Sequence, residues 1–214
     1  MTDLNSTRDL LRNLPSLAGP LWPFVTEDAP DAPQTLFSTW LRDAIDAGIA
    51  EPHAMTLSSV DAAGHPDARV LILKDVDQSG WHFASVSDGP KGRQIAANPN
   101  VALTFYWQRF GRQVRIRGEA IALSAEASAR DFAARSPVAR AMAMVGRQSD
   151  TLGERSDIER ALRSGINEDV TLSWTVYAVA PRSVEFWQGD ADRRHVRLRY
   201  ERQTDGWSKA LLWP

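Results

Sequence analysis

The residues from Val184 to Tyr200 carry the densest chemistry in this 214-residue chain. An apolar run around Phe186 and Trp187 passes through Gln188, Gly189 and Asp190 into a second run, where Arg193, His195 and Arg197 stand two residues apart. If that second run is a strand, alternation puts all three side chains on one face. Two guanidinium groups flanking an imidazole make a poor core and a good anion site. The same pattern fits a solvated edge strand, where charge blocks edge-to-edge pairing. The residues alone leave both readings open.

Four further strings could do chemistry. Arg69-Val70-Leu71-Ile72-Leu73-Lys74 brackets branched apolar residues, expected to be buried on both sides, with cations whose spacing puts them on opposite faces of a strand. Such cations either snorkel to solvent or meet a ligand. Asp88 to Gln94 begins a helix at Pro90, where free N–H groups and the helix dipole attract phosphate, and Lys91 would add a full charge. By itself this string is equally an ordinary capped turn. In Arg112 to Gly118, Val114 and Ile116 point one way while Gln113, Arg115 and Arg117 point the other. Arg147-Gln148-Ser149-Asp150 reads on its own as a helix cap. His53, His65 and His82 are scattered without acids at ligand spacing, so no metal site is expected.

These strings need a sheet to position them. From Ala54 onward apolar residues alternate, giving expected strands at 55–60, 69–76, 81–86, 101–107, 113–123, 174–179, 184–187 and 197–202, closed by a final stretch at Trp207. Residues 36–45 show helical spacing, with Gly48 as the stop, and 125–165 reads as helical, broken at Pro137. Short antiparallel strands with flanking helices make the chain mainly β (α+β) and favour a barrel over a doubly wound sheet. Residues 1–33, punctuated by five prolines, are expected to form a mobile or loosely packed arm with a short helix near Arg8 to Leu14, ahead of one domain spanning 34–214.

Composition narrows the function classes. A net charge of −2 argues against a generic nucleic-acid binder, and the arginine cluster at 109–117 suits a small anion better than a polyanion. The absence of cysteine excludes disulfides and thiolate chemistry. No membrane-length apolar run or leader pattern is visible, so the cytoplasm is the default expectation. No Gly-x-Gly-x-x-Gly occurs, so a phosphate would be held by side-chain cations rather than a Rossmann turn.

The string Glu185-Phe186-Trp187-Gln188-Gly189, then Arg193-x-His195-x-Arg197 and an ending from Trp207 to Pro214, resembles the C-terminal signature of the pyridoxamine 5'-phosphate oxidase family. The resemblance extends over roughly residues 35 to 214. It implies an antiparallel split β-barrel, a homodimer, and flavin mononucleotide (FMN) bound at the subunit interface. The cofactor contacts it implies are Arg69, Val70, Leu71, Ile72, Leu73, Lys74, Ala84, Ser85, Lys91, Gln113, Trp187 and Arg197, with Gln148 and Ser149 supplied across the interface. Lys74, Arg135, Arg193 and His195 would bind a small phosphorylated pyridine, and Arg193 and His195 would hold its reacting carbon over the flavin, with His195 available to take a proton. The implied reaction converts pyridoxamine or pyridoxine 5'-phosphate to pyridoxal 5'-phosphate with dioxygen, releasing hydrogen peroxide; nucleic acid and membrane are not expected partners.

The chain departs from that pattern at Pro90 (usually Arg), Asp131 (usually Tyr), Ala139 (usually Ser) and Val196 (often an acid). Asp131 would repel a phosphate unless it turns away or pairs with Arg135. These changes leave two alternatives: an oxidase of the same fold acting on another metabolite, as in phenazine biosynthesis, or a non-catalytic flavin- or haem-binding module.

Overall fold

The computed structural model describes residues 4–164 and 173–214. Six helices and nine strands follow one another in this part of the chain. The helices are α1 (Leu4–Arg12), α2 (Pro33–Asp46), α3 (Pro90–Ala97), α4 (Ala125–Ala134), α5 (Pro137–Met144) and α6 (Ser156–Ser164). The strands are β1 (Ala54–Val60), β2 (Pro66–Ile72), β3 (Asp75–Asp77), β4 (Gly80–Val86), β5 (Asn100–Trp107), β6 (Arg112–Ala122), β7 (Trp174–Gln188), β8 (Val196–Gln203) and β9 (Gly206–Leu211).

All pairings are antiparallel, in the order β2-β1-β5-β6-β7-β4-β3, with β8 on β7 and β9 on β8. β7 organises the sheet. One of its edges pairs with β6 along nearly its whole length, while the other edge carries β4 on its first half and β8 on its second. The sheet therefore divides between β4 and β8, which is the split expected of the barrel. At the division Arg117 pairs with Ser183 and Gly118 with Pro181, leaving Arg182 as a bulge that bends the strand. Gly118 is required there, because a Cβ would stand 2.0 Å from the Ala180 carbonyl oxygen.

The two expected strands at 174–179 and 184–187 are thus one strand, which runs on through Pro181 with Arg182 bulged. Conversely, the expected strand at 69–76 is broken into β2 and β3. β2 is an edge strand with Val70 66% and Ile72 37% exposed, not the doubly buried strand its branched residues suggested.

Apolar alternation packs the concave side. Leu57, Leu103, Phe105, Val114, Ile116 and Phe186 are fully buried, and α2 lays Phe37 and Trp40 against them. Each such side chain contributes about 2–3 kcal/mol of burial. Part of the arm expected to be mobile belongs to this core. Trp22 packs at a tilt on Phe110 (4.4 Å), Phe24 meets Trp40 (5.0 Å), and the Pro30 carbonyl accepts a hydrogen bond from the Tyr200 hydroxyl at 2.7 Å. Prolines mark an irregular path here, and the aromatic residues between them fasten it down.

Candidate active site

A cavity of about 860 Å³ opens between the β2 edge, the end of β4, the start of α3 and the segment from α5 to α6. Pro90 occupies the first turn of α3, so the helix points free N–H groups and its positive end toward this space. Gly92 seats the helix tightly: a Cβ would lie 2.2 Å from the Ser87 carbonyl oxygen. Lys91 is half-buried on the wall and donates to Gln148 Oε1 at 2.6 Å. Burial, and then the charge of Arg69, pushes the Lys91 pKa below its usual value, with Asp67 opposing. Arg69 is fastened to Ser59 Oγ (2.6 Å), to Gln94 Oε1 (3.1 Å) and to Asp67. Such a cluster is short of negative charge and suits a bound anion.

Of the residues singled out by sequence, Val70, Leu71, Ile72, Lys74, Ala84, Ser85, Lys91, Arg135 and Gln148 come together on this wall. Leu73 turns into the core instead, at 8% exposure, because alternation along the strand sends it inward. Gln148 lies against Lys91 of its own chain and lines the cavity. Ser149 is exposed, adopts a left-handed conformation (φ 71°) and does not line the cavity.

A second cluster forms at the other end of β7. Gln113 pairs in register with Trp187, and Trp187 with Arg197. The Trp187 ring lies 4.9 Å from His195. Glu185 clamps this face, accepting from Arg115 at 2.6 Å and Arg197 at 2.9 Å, while Arg197 also donates to the Trp213 carbonyl at 2.8 Å. Contrary to the alternation argument, Arg193 and His195 precede β8 and sit in the connecting turn. Asp190 organises that turn: its Oδ1 accepts from the N–H groups of Asp192 and Arg194, and its own N–H donates to His195 Nδ1 at 3.0 Å. Arg193 there has φ 64°. The local side-chain capping by Asp190 outcompetes strand pairing over these residues.

The two clusters lie at opposite ends of β7 within one protomer. Trp174 borders the cavity and Trp187 belongs to the second cluster, thirteen residues further along β7. At about 3.3 Å per residue, even a bent strand holds them far apart.

Three features were not anticipated from sequence. Lys74 Nζ is paired with Asp131 at 3.1 Å, and Trp174 Nε1 donates to the other Asp131 oxygen at 2.9 Å. Asp131 therefore neutralises Lys74 and not Arg135. Arg112 is buried, bonded to Asp43 at 2.7 Å and lying on the Trp40 ring at 4.3 Å. His82, expected to stand apart from any acid at ligand spacing, gathers with Asp75 and Asp77 within 4.8 Å in the β3–β4 hairpin, where Ser79 bridges Asp77 and His82. Those bonds make Asp77, Ser79 and His82 a brace of the hairpin.

The sequence profile described as "Pyridoxamine 5'-phosphate oxidase" matches residues 41–166, and "Pyridoxine 5'-phosphate oxidase C-terminal dimerisation region" matches residues 174–214. The chain belongs to the pyridoxamine 5'-phosphate oxidase family. Its similarity to curated members is 40% identity to the pyridoxine/pyridoxamine 5'-phosphate oxidase of Thermosynechococcus vestitus, covering 87% of this chain and 91% of the relative. It is 38% to that of Pseudomonas paraeruginosa, with the same coverage. Among solved structures, PhzG from Burkholderia lata 383, in complex with tetrahydrophenazine-1-carboxylic acid, superposes with a TM-score of 0.82 at 28% identity, covering 90% of this chain and 98% of that one. A related FMN-binding protein from Nostoc punctiforme superposes with 0.72 at 16% identity over 87% and 100% of the two chains, a likeness of fold. Family members typically bind FMN, and the cavity suits it: cations and a helix N-terminus for a phosphate at one side, apolar Val70 and Ile72 for a flat ring at another. Among the described residues no helix is long and apolar enough to cross a membrane.

Proposed function

We propose that this chain is an FMN-dependent oxidase converting pyridoxamine 5'-phosphate or pyridoxine 5'-phosphate to pyridoxal 5'-phosphate, acting as a homodimer whose site is completed by two copies. The observation that carries the reading is the half-buried Lys91 at the α3 N-terminus, facing the cavity beside the exposed apolar edge of β2, with Arg69 behind it and outside the cavity lining. When bound, the flavin would supply hydride acceptance and reoxidation by dioxygen. Lys91, the α3 N–H groups and Gln148 would hold its phosphate, with Arg69 supporting them, while Val70 and Ile72 keep water off the ring. Gln113, Trp187 and Arg197 would approach from the partner copy, since the two clusters lie at opposite ends of β7 within one protomer. His195, with Nδ1 already accepting from Asp190, carries its neutral-ring proton on Nε2 and would offer a donor beside Trp187. Arg135 would meet the anionic end of the substrate.

Two measurements test this. Lys91→Met is expected to weaken FMN binding about 10- to 100-fold by flavin-fluorescence titration; unchanged affinity moves the phosphate elsewhere. Purified, FMN-loaded protein should turn over pyridoxamine and pyridoxine 5'-phosphates, with pyridoxal phosphate formed and peroxide released. A yellow protein that ignores both favours a second reading, an oxidase of another metabolite. The Lys74–Asp131 pair is the observation behind that alternative, because it removes a cation from the substrate end. The PhzG structure, solved with a carboxylate-bearing ligand, supports the same alternative.

A further inference from the structure

A pocket that recognises an anion by charge needs cations that are free to meet it. Away from Lys91 and Arg93, the cavity lining carries three, Lys74, Arg135 and Arg147, and Arg147, beyond α5, is already paired with Asp150 at 3.2 Å. They are not equally available. Lys74 lies 3.1 Å from Asp131 Oδ1, and the second Asp131 oxygen accepts from Trp174 Nε1 at 2.9 Å. The helix presenting Asp131 is itself held: Ser128 Oγ accepts from the Val176 N–H at 3.1 Å, and Phe132 packs 5.7 Å from Trp174. Arg135 has no carboxylate partner among the described residues. Its guanidinium lies on the Trp174 ring at 4.2 Å and reaches only the Ala139 carbonyl, at 3.3 Å. Ala139, Met142 and Ala143 add no side-chain donor to this wall.

We infer that Asp131 sets the charge selectivity of this pocket: by pairing with Lys74 it leaves Arg135 to meet the substrate, so that a singly charged anion such as a carboxylate is accepted about as well as a phosphate dianion. The inference rests on the proposed reading of this cavity as the substrate site. A dianion must either pull Lys74 away from Asp131 or lie beside the carboxylate; both carry an electrostatic cost in a partly buried site. A carboxylate can take the Arg135 fork without disturbing the pair. Asp131 is thus a specificity residue that touches the substrate's charge through Lys74.

The test is equilibrium binding of pyridoxal 5'-phosphate and of unphosphorylated pyridoxal to the FMN-loaded protein and to its Asp131→Asn variant. Asn keeps an acceptor for Trp174 and frees Lys74. The affinity ratio between the two ligands is expected to rise about tenfold in the variant, with pyridoxal itself little changed. A ratio that stays the same, in protein that still turns over pyridoxine 5'-phosphate, overturns this inference alone. Wild-type protein that binds neither ligand overturns the proposed function and this inference together. A measurement on wild-type protein alone guards against a variant that fails to fold: an analogue carrying a carboxylate in place of the phosphate should bind within about threefold of pyridoxal 5'-phosphate. A clear preference for the phosphate, about tenfold or more, overturns the inference.

Discussion

Replacing His195 by Asn is expected to lower kcat by at least about 100-fold while FMN affinity stays within about threefold of the parent protein. The separation of effects follows from geometry. His195 lies at the end of β7 opposite the Lys91 seat, so its loss leaves the groups that would hold the flavin phosphate untouched. Its orientation is set by two contacts, the Asp190 N–H on Nδ1 at 3.0 Å and the Trp187 ring at 4.9 Å. The backbone donor makes Nδ1 an acceptor and leaves Nε2–H as the free donor of the neutral ring. The family resemblance implies that His195 also takes a proton; with Nδ1 accepting, Nε2–H is the group that a neutral ring would offer to a substrate. Asn is shorter and cannot keep the Asp190 contact while reaching as far as Nε2. Steady-state turnover, with flavin content measured by absorbance after gel filtration, checks both halves. Loss of flavin, or activity that survives, would remove His195 from the reaction.

Local strings were legible because period and turn chemistry are local. The alternation at 101–107 and 113–123 marks β5 and β6 within a residue or two, and Gly48, with φ 69°, follows the end of α2 where a stop was expected. What escaped was whatever depends on neighbours distant in sequence. Val70 and Ile72 look like core residues until β2 proves to be an edge. Arg193 and His195 alternate with Arg197 as if on one strand, but an aspartate five residues before His195 captures the turn through its own hydrogen bonds. The cavity string around Lys91 was found by its helix start and charge. The Lys74–Asp131 pair was not, because 57 residues separate its members and either alone reads as a solvated charge. A meeting of the two ends of β7 across two copies is implied only by the family resemblance. The residues alone carry no sign of it.

Glu185 should prove the costliest single charge to remove. It is 7% exposed and accepts from both Arg115 and Arg197, so Glu185→Gln leaves two guanidinium groups without their counter-charge at a partly buried site. Breaking such an arrangement costs about 3 kcal/mol. The loss should also loosen Arg197 and, through its bond to Trp213, the C-terminal segment. Burial alone would raise the Glu185 pKa, but the Arg197 hydrogen bond and the charges of Arg115 and Arg197 outweigh it and hold the carboxyl below its usual range. With the folded value below the unfolded one, the unfolded state takes up the proton first as pH falls. The stabilisation is therefore complete above the ordinary glutamate pKa of about 4.3 and fades as pH drops through the lower, folded value. Urea unfolding at pH 7 should show the full difference between parent and variant, and the gap should narrow progressively below about pH 4. A gap that is absent at pH 7 would mean that the two arginines find equal partners without Glu185. A gap that persists undiminished in acid would mean that Gln fails by shape, and the clamp on Arg197 would then be steric rather than electrostatic.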